Sequence, residues 1–153
     1  MKPPPTVLVN AFYAFYDLHR PAYRAYAAAR LAPEEAQIAV SHLFDLVASN
    51  WTTVVAERRP SAWAWELHTR TVARRSGHTL TAMENTRLLH DELHMSIEQI
   101  ATVTGAEQAT VSTLLAAARR AQTPAQFRTR PGTGKGAPPA PARLRRLSFR
   151  IAM

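Results

Sequence analysis

The 153-residue chain contains no cysteine, which excludes disulfide bonds, thiolate metal ligands and cysteine nucleophiles. Long apolar runs are also missing, because the hydrophobic stretches are too short and too often interrupted to cross a membrane. Residues 1–5 are rich in proline and lack the pattern of a secretory signal. Together these absences predict a cytoplasmic protein that makes no contact with a membrane.

Groups that carry out catalysis are equally sparse in this sequence. No pair of carboxylates and no nucleophile with its own base stands out, so we expect neither enzymatic activity nor a cofactor. His90 and His94 have the spacing of two zinc ligands on a helix. Asp91, however, stands where that motif requires glutamate, and no distal ligand follows. We therefore expect no metal site.

The positive charge of the chain is large but unevenly placed. Nineteen basic and eleven acidic residues give a formal net charge of +8. Residues 1–79 carry nine basic and six acidic groups, whereas residues 80–123 carry three basic and five acidic ones. Residues 124–153 carry seven basic groups and no acidic group. The basic excess favours contact with nucleic acid, and most of it lies in the C-terminal segment.

Apolar residues recur at helical spacing in the first half of the chain. The pattern predicts a first helix over Val7–Arg30, which Pro21 kinks or divides. A second helix is predicted from Pro33 to about Ala56. Ser61 is expected to cap a third helix that ends near Gly77. These three helices carry most of the aromatic residues.

The second half of the chain has the pattern of a helix-turn-helix. Thr81 begins a predicted helix, Ala82–His94, with a capping-box sequence. Ser96 and Gln99 form a second capping-box sequence, and Gly105 ends the helix that they begin. Another helix with its own apolar stripe follows directly. Two short helices joined at a glycine-containing turn form the DNA-reading unit of many regulators.

The polar side chains of the last predicted helix are the candidate DNA contacts. Glutamine and threonine side chains read base edges, and arginine side chains hold phosphates. The predicted DNA-binding residues are Gln108, Thr110, Ser112, Thr113, Arg119 and Arg120. A possible second surface for DNA or for polymerase consists of Arg58, Arg59, Arg70, Arg74 and Arg75, with Trp63 and Trp65 close to it in sequence. We expect the two tryptophans to lie mainly in the core.

These patterns predict an all-α protein made of two small helical modules, residues 6–78 and residues 79–122. Residues 123–153 form a predicted linker rich in proline and glycine, followed by a basic tail, and we expect this segment to be disordered. Three roles stay open for residues 143–153: a basic arm on DNA, an added strand on a partner's sheet, or no ordered role.

The order of these features resembles bacterial RNA polymerase sigma factors of the extracytoplasmic-function class, over roughly residues 11–122. The second module is similar to the family's fourth region, which reads the upstream promoter element. The first resembles the second region, which binds core RNA polymerase and melts the downstream element. The resemblance implies DNA and core RNA polymerase, or another transcription regulator, as partners. The matching positions are Leu80, Glu84, Leu88, Leu89, Ile97, Ile100, Ala101, Gly105, Thr110, Val111, Leu115, Ala118 and Arg119 in the second module, and Ala36, Phe44, Ala62 and Trp63 in the first.

Some positions depart from the pattern of that family. Ile38 and Ser41 stand where its polymerase-binding helix usually carries an acidic residue and a glutamine. Arg70 and Arg74 stand where its melting helix usually carries asparagine and aspartate. The linker between the two modules is also nearly absent. These departures favour a second hypothesis, a protein-interaction adaptor that keeps the sigma-like fold but no longer reads DNA.

Overall fold

Helices account for nearly all of residues 3–122, the part of the chain that this computed structural model describes. No strand occurs within that range, so the all-α prediction is confirmed. The predicted linker and tail, residues 123–153, lie outside the described residues. The helices are α1 (Pro5–Arg30), α2 (Pro33–Ser49), α3 (Trp51–Val55), α4 (Pro60–Ser76), α5 (Ala82–Arg87), α6 (Ile97–Thr104) and α7 (Gln108–Gln122), and a π-helical turn (Leu88–Glu92) continues α5.

Local capping signals set where α5 and α6 begin. Thr81 Oγ1 accepts a hydrogen bond from the Glu84 backbone N–H, and the Glu84 side chain accepts one from the Thr81 N–H. Ser96 and Gln99 make the same reciprocal pair at the start of α6. Both predicted capping boxes are therefore confirmed. Gly105 ends α6 in the left-handed conformation, with φ +75°, as the sequence predicts.

Two predictions about the first three helices are wrong. The second helix does not run to Ala56, because Asn50 leaves helical geometry (φ −112°, ψ 22°) and a separate short helix, α3, follows it. Ser61 does not cap α4, which begins one residue earlier at Pro60, a residue type suited to a first helical turn. The Ser61 hydroxyl is instead hydrogen-bonded to His19 Nε2 at 2.9 Å.

Two other helices also differ from the predictions: the helix that contains Pro21, and the helix that ends in the π-helical turn. Pro21 does not divide α1, which runs unbroken for 26 residues around it. The helix expected to reach His94 is shorter, because α5 widens into the π-helical turn and His94 adopts a positive φ of 57°. His94 therefore lies beyond the helix that carries His90.

The core forms where α1, α2 and α4 pack together, with α3 closing one side. Tyr23 is fully buried in it, and its ring lies against the rings of His68 and Phe44 with centroids 4.9 Å and 5.8 Å apart. The N–H of the Trp51 ring donates to the Leu8 carbonyl at 2.8 Å and ties α3 to α1. Burial of these aromatic rings removes a large apolar area from water and stabilises the first half of the chain.

The helices on both sides of residue 79 share this core. Leu89, Ile100 and Val111 are buried and belong to the same continuous apolar cluster as Tyr23. α6 packs on α4 and also touches α1. The division into modules at residues 78 and 79 stays a prediction, while the packing joins residues 3–121 into one unit. Among the described residues, no helix is long and apolar enough to cross a bilayer.

Candidate nucleic-acid interface

The helix-turn-helix is built from α6, a short turn at residues 105–107, and α7. Val111, Leu115 and Ala118 are the buried face of α7, and Ile100 and Val103 are the buried face of α6. This packing leaves the opposite side of α7 open. All six predicted DNA-binding residues are exposed there: Gln108, Thr110, Ser112, Thr113, Arg119 and Arg120.

The six side chains do not all point in the same direction around α7. Thr113 and Arg120 are seven residues apart and share the outermost face. Ser112 and Arg119 share one flank by the same spacing, and Thr110 lies on the other flank. The Thr113 hydroxyl donates to the Ala109 carbonyl at 2.9 Å, so its oxygen is left to act as an acceptor.

The two arginines of α7 have different electrostatic surroundings. The pKa of Asp91 is lowered, first by the hydrogen bond from the His90 side chain and also by the charges of His90, Arg87 and Arg119. Arg119 therefore lies within range of a carboxylate that attracts it. Arg120 is exposed and has no ion pair among residues 3–122. Arg120 is the better-placed phosphate ligand of the two.

The turn between α6 and α7 packs directly against the start of α4. A Cβ placed at Gly105 would lie 2.7 Å from the Ala62 Cα and closer still to the Ala62 backbone nitrogen. The turn and α4 can approach this closely only because residue 105 has no side chain. The position of α7 relative to α4 is fixed by this contact.

Arg59 holds the same turn from the other side. Its guanidinium donates to the Gly105 carbonyl at 3.0 Å and pairs with the Glu107 carboxylate at 2.7 Å. Glu107 directly precedes α7, and its carbonyl accepts the Val111 N–H. Because both charged groups are substantially exposed, the ion pair adds little stability, and its main effect is to orient the turn.

The possible second surface is spread along the whole of α4. Arg59 and Arg75 are separated by about 24 Å along the helix, at roughly 1.5 Å per residue. Arg70 pairs with Glu66 at 2.9 Å, and Arg75 pairs with Glu35 of α2. Arg58 and Arg74 are exposed and have no ion pair within residues 3–122. The structure therefore does not gather the five arginines into one patch.

The tryptophans near those arginines are partly buried. The Trp65 ring meets the Tyr26 ring edge-on, with centroids 4.8 Å apart, and it also lies near Tyr23. Trp65 belongs to the aromatic core at its margin, as the sequence predicts. Trp63 is packed against the core and keeps part of its surface exposed.

Sequence reasoning missed a polar link between the two halves. The buried Tyr26 hydroxyl donates to Asn85 Oδ1 at 2.6 Å, which joins α1 to α5. Arg30 donates to the Ser76 hydroxyl and to the His78 carbonyl, so the junction between α4 and α5 is also held. Asn85 stands among polar neighbours in α5, and nothing in its local sequence distinguishes it from a solvent-exposed residue.

Two buried histidines also escaped the sequence analysis. His19 and His68 are at most 2% exposed, and each lies against an aromatic ring. His68 Nε2–H donates to the Tyr23 carbonyl at 2.9 Å. Nδ1 of each histidine is buried and has no hydrogen-bond partner within residues 3–122. Burial lowers the pKa of both side chains to about 4. Both histidines are therefore neutral at physiological pH.

Comparison of the chain with models of protein families, with curated proteins and with solved structures finds no match. The features that bear on function are therefore the exposed face of α7 and the contacts that fix its position. Among residues 3–122, no three metal-ligating side chains cluster together. The exposed face of α7 offers a ligand several hydrogen-bonding side chains and the positive charge of Arg120.

Proposed function

We propose that this protein is a transcription regulator of the sigma-factor type that binds duplex DNA through α7. The observation that carries the proposal is the exposed polar face of α7, held on a helix-turn-helix whose turn is anchored to α4. A helix presented in this way has the size and shape to enter the major groove. The resemblance of the two modules to sigma factors supports the same role.

The six exposed residues of α7 divide into two functions in this proposal. Gln108 and Thr110, in the first turn of the helix, would read base edges, because residues near the start of a recognition helix reach deepest into the groove. Arg120, at the other end, would hold a phosphate and fix the register. Core RNA polymerase, or another transcription regulator, is the proposed protein partner.

Arg120→Ala is expected to reduce the salt dependence of DNA binding more than Arg119→Ala. A lost phosphate contact lowers the slope of log K against log salt by about 0.9. Arg119 already interacts with Asp91, so its removal should change the slope less. Fluorescence anisotropy of the full chain on a labelled duplex, at several salt concentrations, measures both slopes. Arg20→Ala, a change on α1 outside both sets of predicted DNA contacts, serves as a control. A slope unchanged by Arg120→Ala would exclude Arg120 as a phosphate contact.

The polymerase partner is tested by co-elution of the full chain with core RNA polymerase, using the principal sigma factor as competitor. We expect a complex that the competitor displaces, because displacement requires a shared docking surface. Ile38→Glu should strengthen the complex, since it places an acidic group where sigma factors usually carry one. A complex that the competitor leaves intact would show that a different surface is used.

A second candidate function, the protein-interaction adaptor, is favoured by a groove between α1 and α2. The groove has a volume of about 830 Å³, and its lining includes Tyr16, Phe44 and Arg24. A groove lined by both apolar and charged side chains suits an amphipathic helix from a partner protein. This candidate requires that residues 1–123 bind no duplex DNA at moderate salt, while the chain still binds a protein partner.

A further inference from the structure

One face of α1, separate from its buried face, consists of apolar residues, and several of them are exposed. Phe15, Tyr23 and Tyr26 define the buried face of this helix. On another face, Val7 and Leu18 are 52% and 61% exposed. A helix at the surface of a single chain normally presents polar residues there. We call this face the α1 stripe; its members are Val7, Ala11, Ala14, Leu18, Pro21, Ala25 and Ala28.

The α1 stripe has the spacing of a helix–helix contact. Its residues alternate at intervals of four and three along four turns or more, which is the repeat that keeps a seam facing another helix. Most members are alanine, so a second helix can approach closely, and Leu18 supplies the largest side chain near the middle. Ala14, Leu18, Pro21 and Ala28 are exposed, and Ala11 and Ala25 are half-buried.

Two opposite charges flank the α1 stripe on the same side. Asp17 and Arg24 are both exposed, and neither has an ion pair among residues 3–122. Being seven residues apart, they lie on one edge of the helix, two turns from each other. Within residues 3–122, neither charge therefore has an ion-pair partner, at a place where a second helix would supply one.

We propose that two copies of this chain associate through the α1 stripe, with the two helices antiparallel. A two-fold axis near Arg20 brings Asp17 of each copy beside Arg24 of the other. In the same register, Leu18 of one copy lies against Pro21 of the second, and Ala14 against Ala25. The charged pairs between the two copies and the apolar contacts between them therefore favour the same register.

A parallel pair would not make these contacts. Each residue would then lie at the same level as its own copy, and Asp17 would be two turns away from the second Arg24. The interface is isologous, so a single patch serves both subunits. The α1 stripe contains no residue of α7, so the proposal holds whether or not α7 binds DNA. Arg24 also lines the groove between α1 and α2, so the dimer and a partner helix in that groove exclude each other.

Sedimentation equilibrium of the full chain at low salt tests the proposal. We expect a monomer–dimer equilibrium, and Leu18→Glu should raise its dissociation constant roughly tenfold or more, since it buries a charge in the seam. Val9→Glu is the matched control, because Val9 is 51% exposed on α1 but lies off the stripe. A wild-type chain that stays monomeric at the highest concentration overturns the proposal, as does an equal effect of the two variants.

Exchange of the flanking charges tests the antiparallel register. Asp17→Arg places arginine beside arginine, and Arg24→Asp places aspartate beside aspartate, so each single variant should weaken the dimer several-fold. The double variant Asp17→Arg/Arg24→Asp restores two opposite pairs and should recover the wild-type dissociation constant. A double variant as weak as either single one would overturn this register. All of these positions are exposed, so the variants remove no core contact.

Discussion

Replacing Gly105 with alanine should lower the free energy of unfolding by about 3 kcal/mol or more. Two physical costs combine at this position. A left-handed backbone costs roughly 1 kcal/mol for a residue with a side chain. The added Cβ would also overlap the backbone of Ala62, and backbone atoms cannot turn aside as a side chain would. Denaturant unfolding monitored by circular dichroism measures the loss.

Gly77→Ala provides the matched control for that substitution. Gly77 has the same φ of +75°, but a Cβ there would meet nothing within 4 Å. We expect this variant to lose only about 1 kcal/mol, the cost of the backbone conformation alone. The difference between the two variants isolates the contact between the turn and α4. Equal losses would mean that the turn moves away from Ala62 without cost.

Acidification from pH 7 to pH 4 should destabilise the protein by several kcal/mol through His19 and His68. Burial lowers the pKa of each to about 4 in the folded chain, from an ordinary value of 6.5. Between these values the unfolded chain binds more protons than the folded chain, so stability falls as the pH falls. Each histidine accounts for about 3 kcal/mol at most. Above pH 6.5 both histidines are neutral in the folded and in the unfolded chain, so their contributions to the free energy of unfolding no longer change with pH.

Denaturant unfolding at a series of pH values between 7 and 4 measures this dependence. The double variant His19→Phe/His68→Phe keeps two rings in the core and should flatten the curve over this range, although its stability at pH 7 will differ. Replacement of His42, which is exposed on α2, serves as the control. If the stability of the wild-type chain depended on pH as weakly as that of the double variant, the histidines would become charged inside the core at no cost in stability. That result would contradict the prediction.

Local signals were enough to predict most of the helices. The two capping boxes, at Thr81 and Ser96, use residues three positions apart, and Gly105 ends α6 by its own backbone freedom. Such interactions are visible in a short stretch of sequence. The break at Asn50 was missed because the apolar spacing continues across it, from Val47 in α2 to Trp51 and Val54 in α3, and all three residues are buried.

Contacts between distant residues could not be predicted in this way. Arg59 and Glu107 are 48 positions apart, and Tyr26 and Asn85 are 59 positions apart. The first pair depends on how the turn after α6 lies against the start of α4, and the second depends on how α5 lies against α1. No local pattern encodes either arrangement. His19 and His68 are a similar case, because a histidine in a helical stripe has the same sequence signature whether it is buried or exposed. Their burial follows from the three-dimensional packing of the aromatic rings.

The residues of the candidate interface could be predicted from the sequence. Which of them are best placed to bind a ligand could be judged only from the structure. Gln108 and Thr110 are exposed near the start of α7, as a base-reading role requires. The distinction between Arg119 and Arg120 depends on Asp91, which lies in the π-helical turn. The scatter of the second arginine set follows from its spacing along α4, whereas the ion pairs of Arg59 with Glu107 and of Arg75 with Glu35 could be found only from the structure.

The contact between Gly105 and Ala62 has a consequence for how such a chain evolves. Recombination that joined residues 3–78 to another helix-turn-helix would have to bring a glycine to face Ala62. It would also have to bring an acceptor such as Asn85 to face Tyr26. The two halves are therefore not interchangeable. If α7 binds DNA as proposed, a change in its preferred DNA sequence has to come from point substitutions on the exposed face of α7.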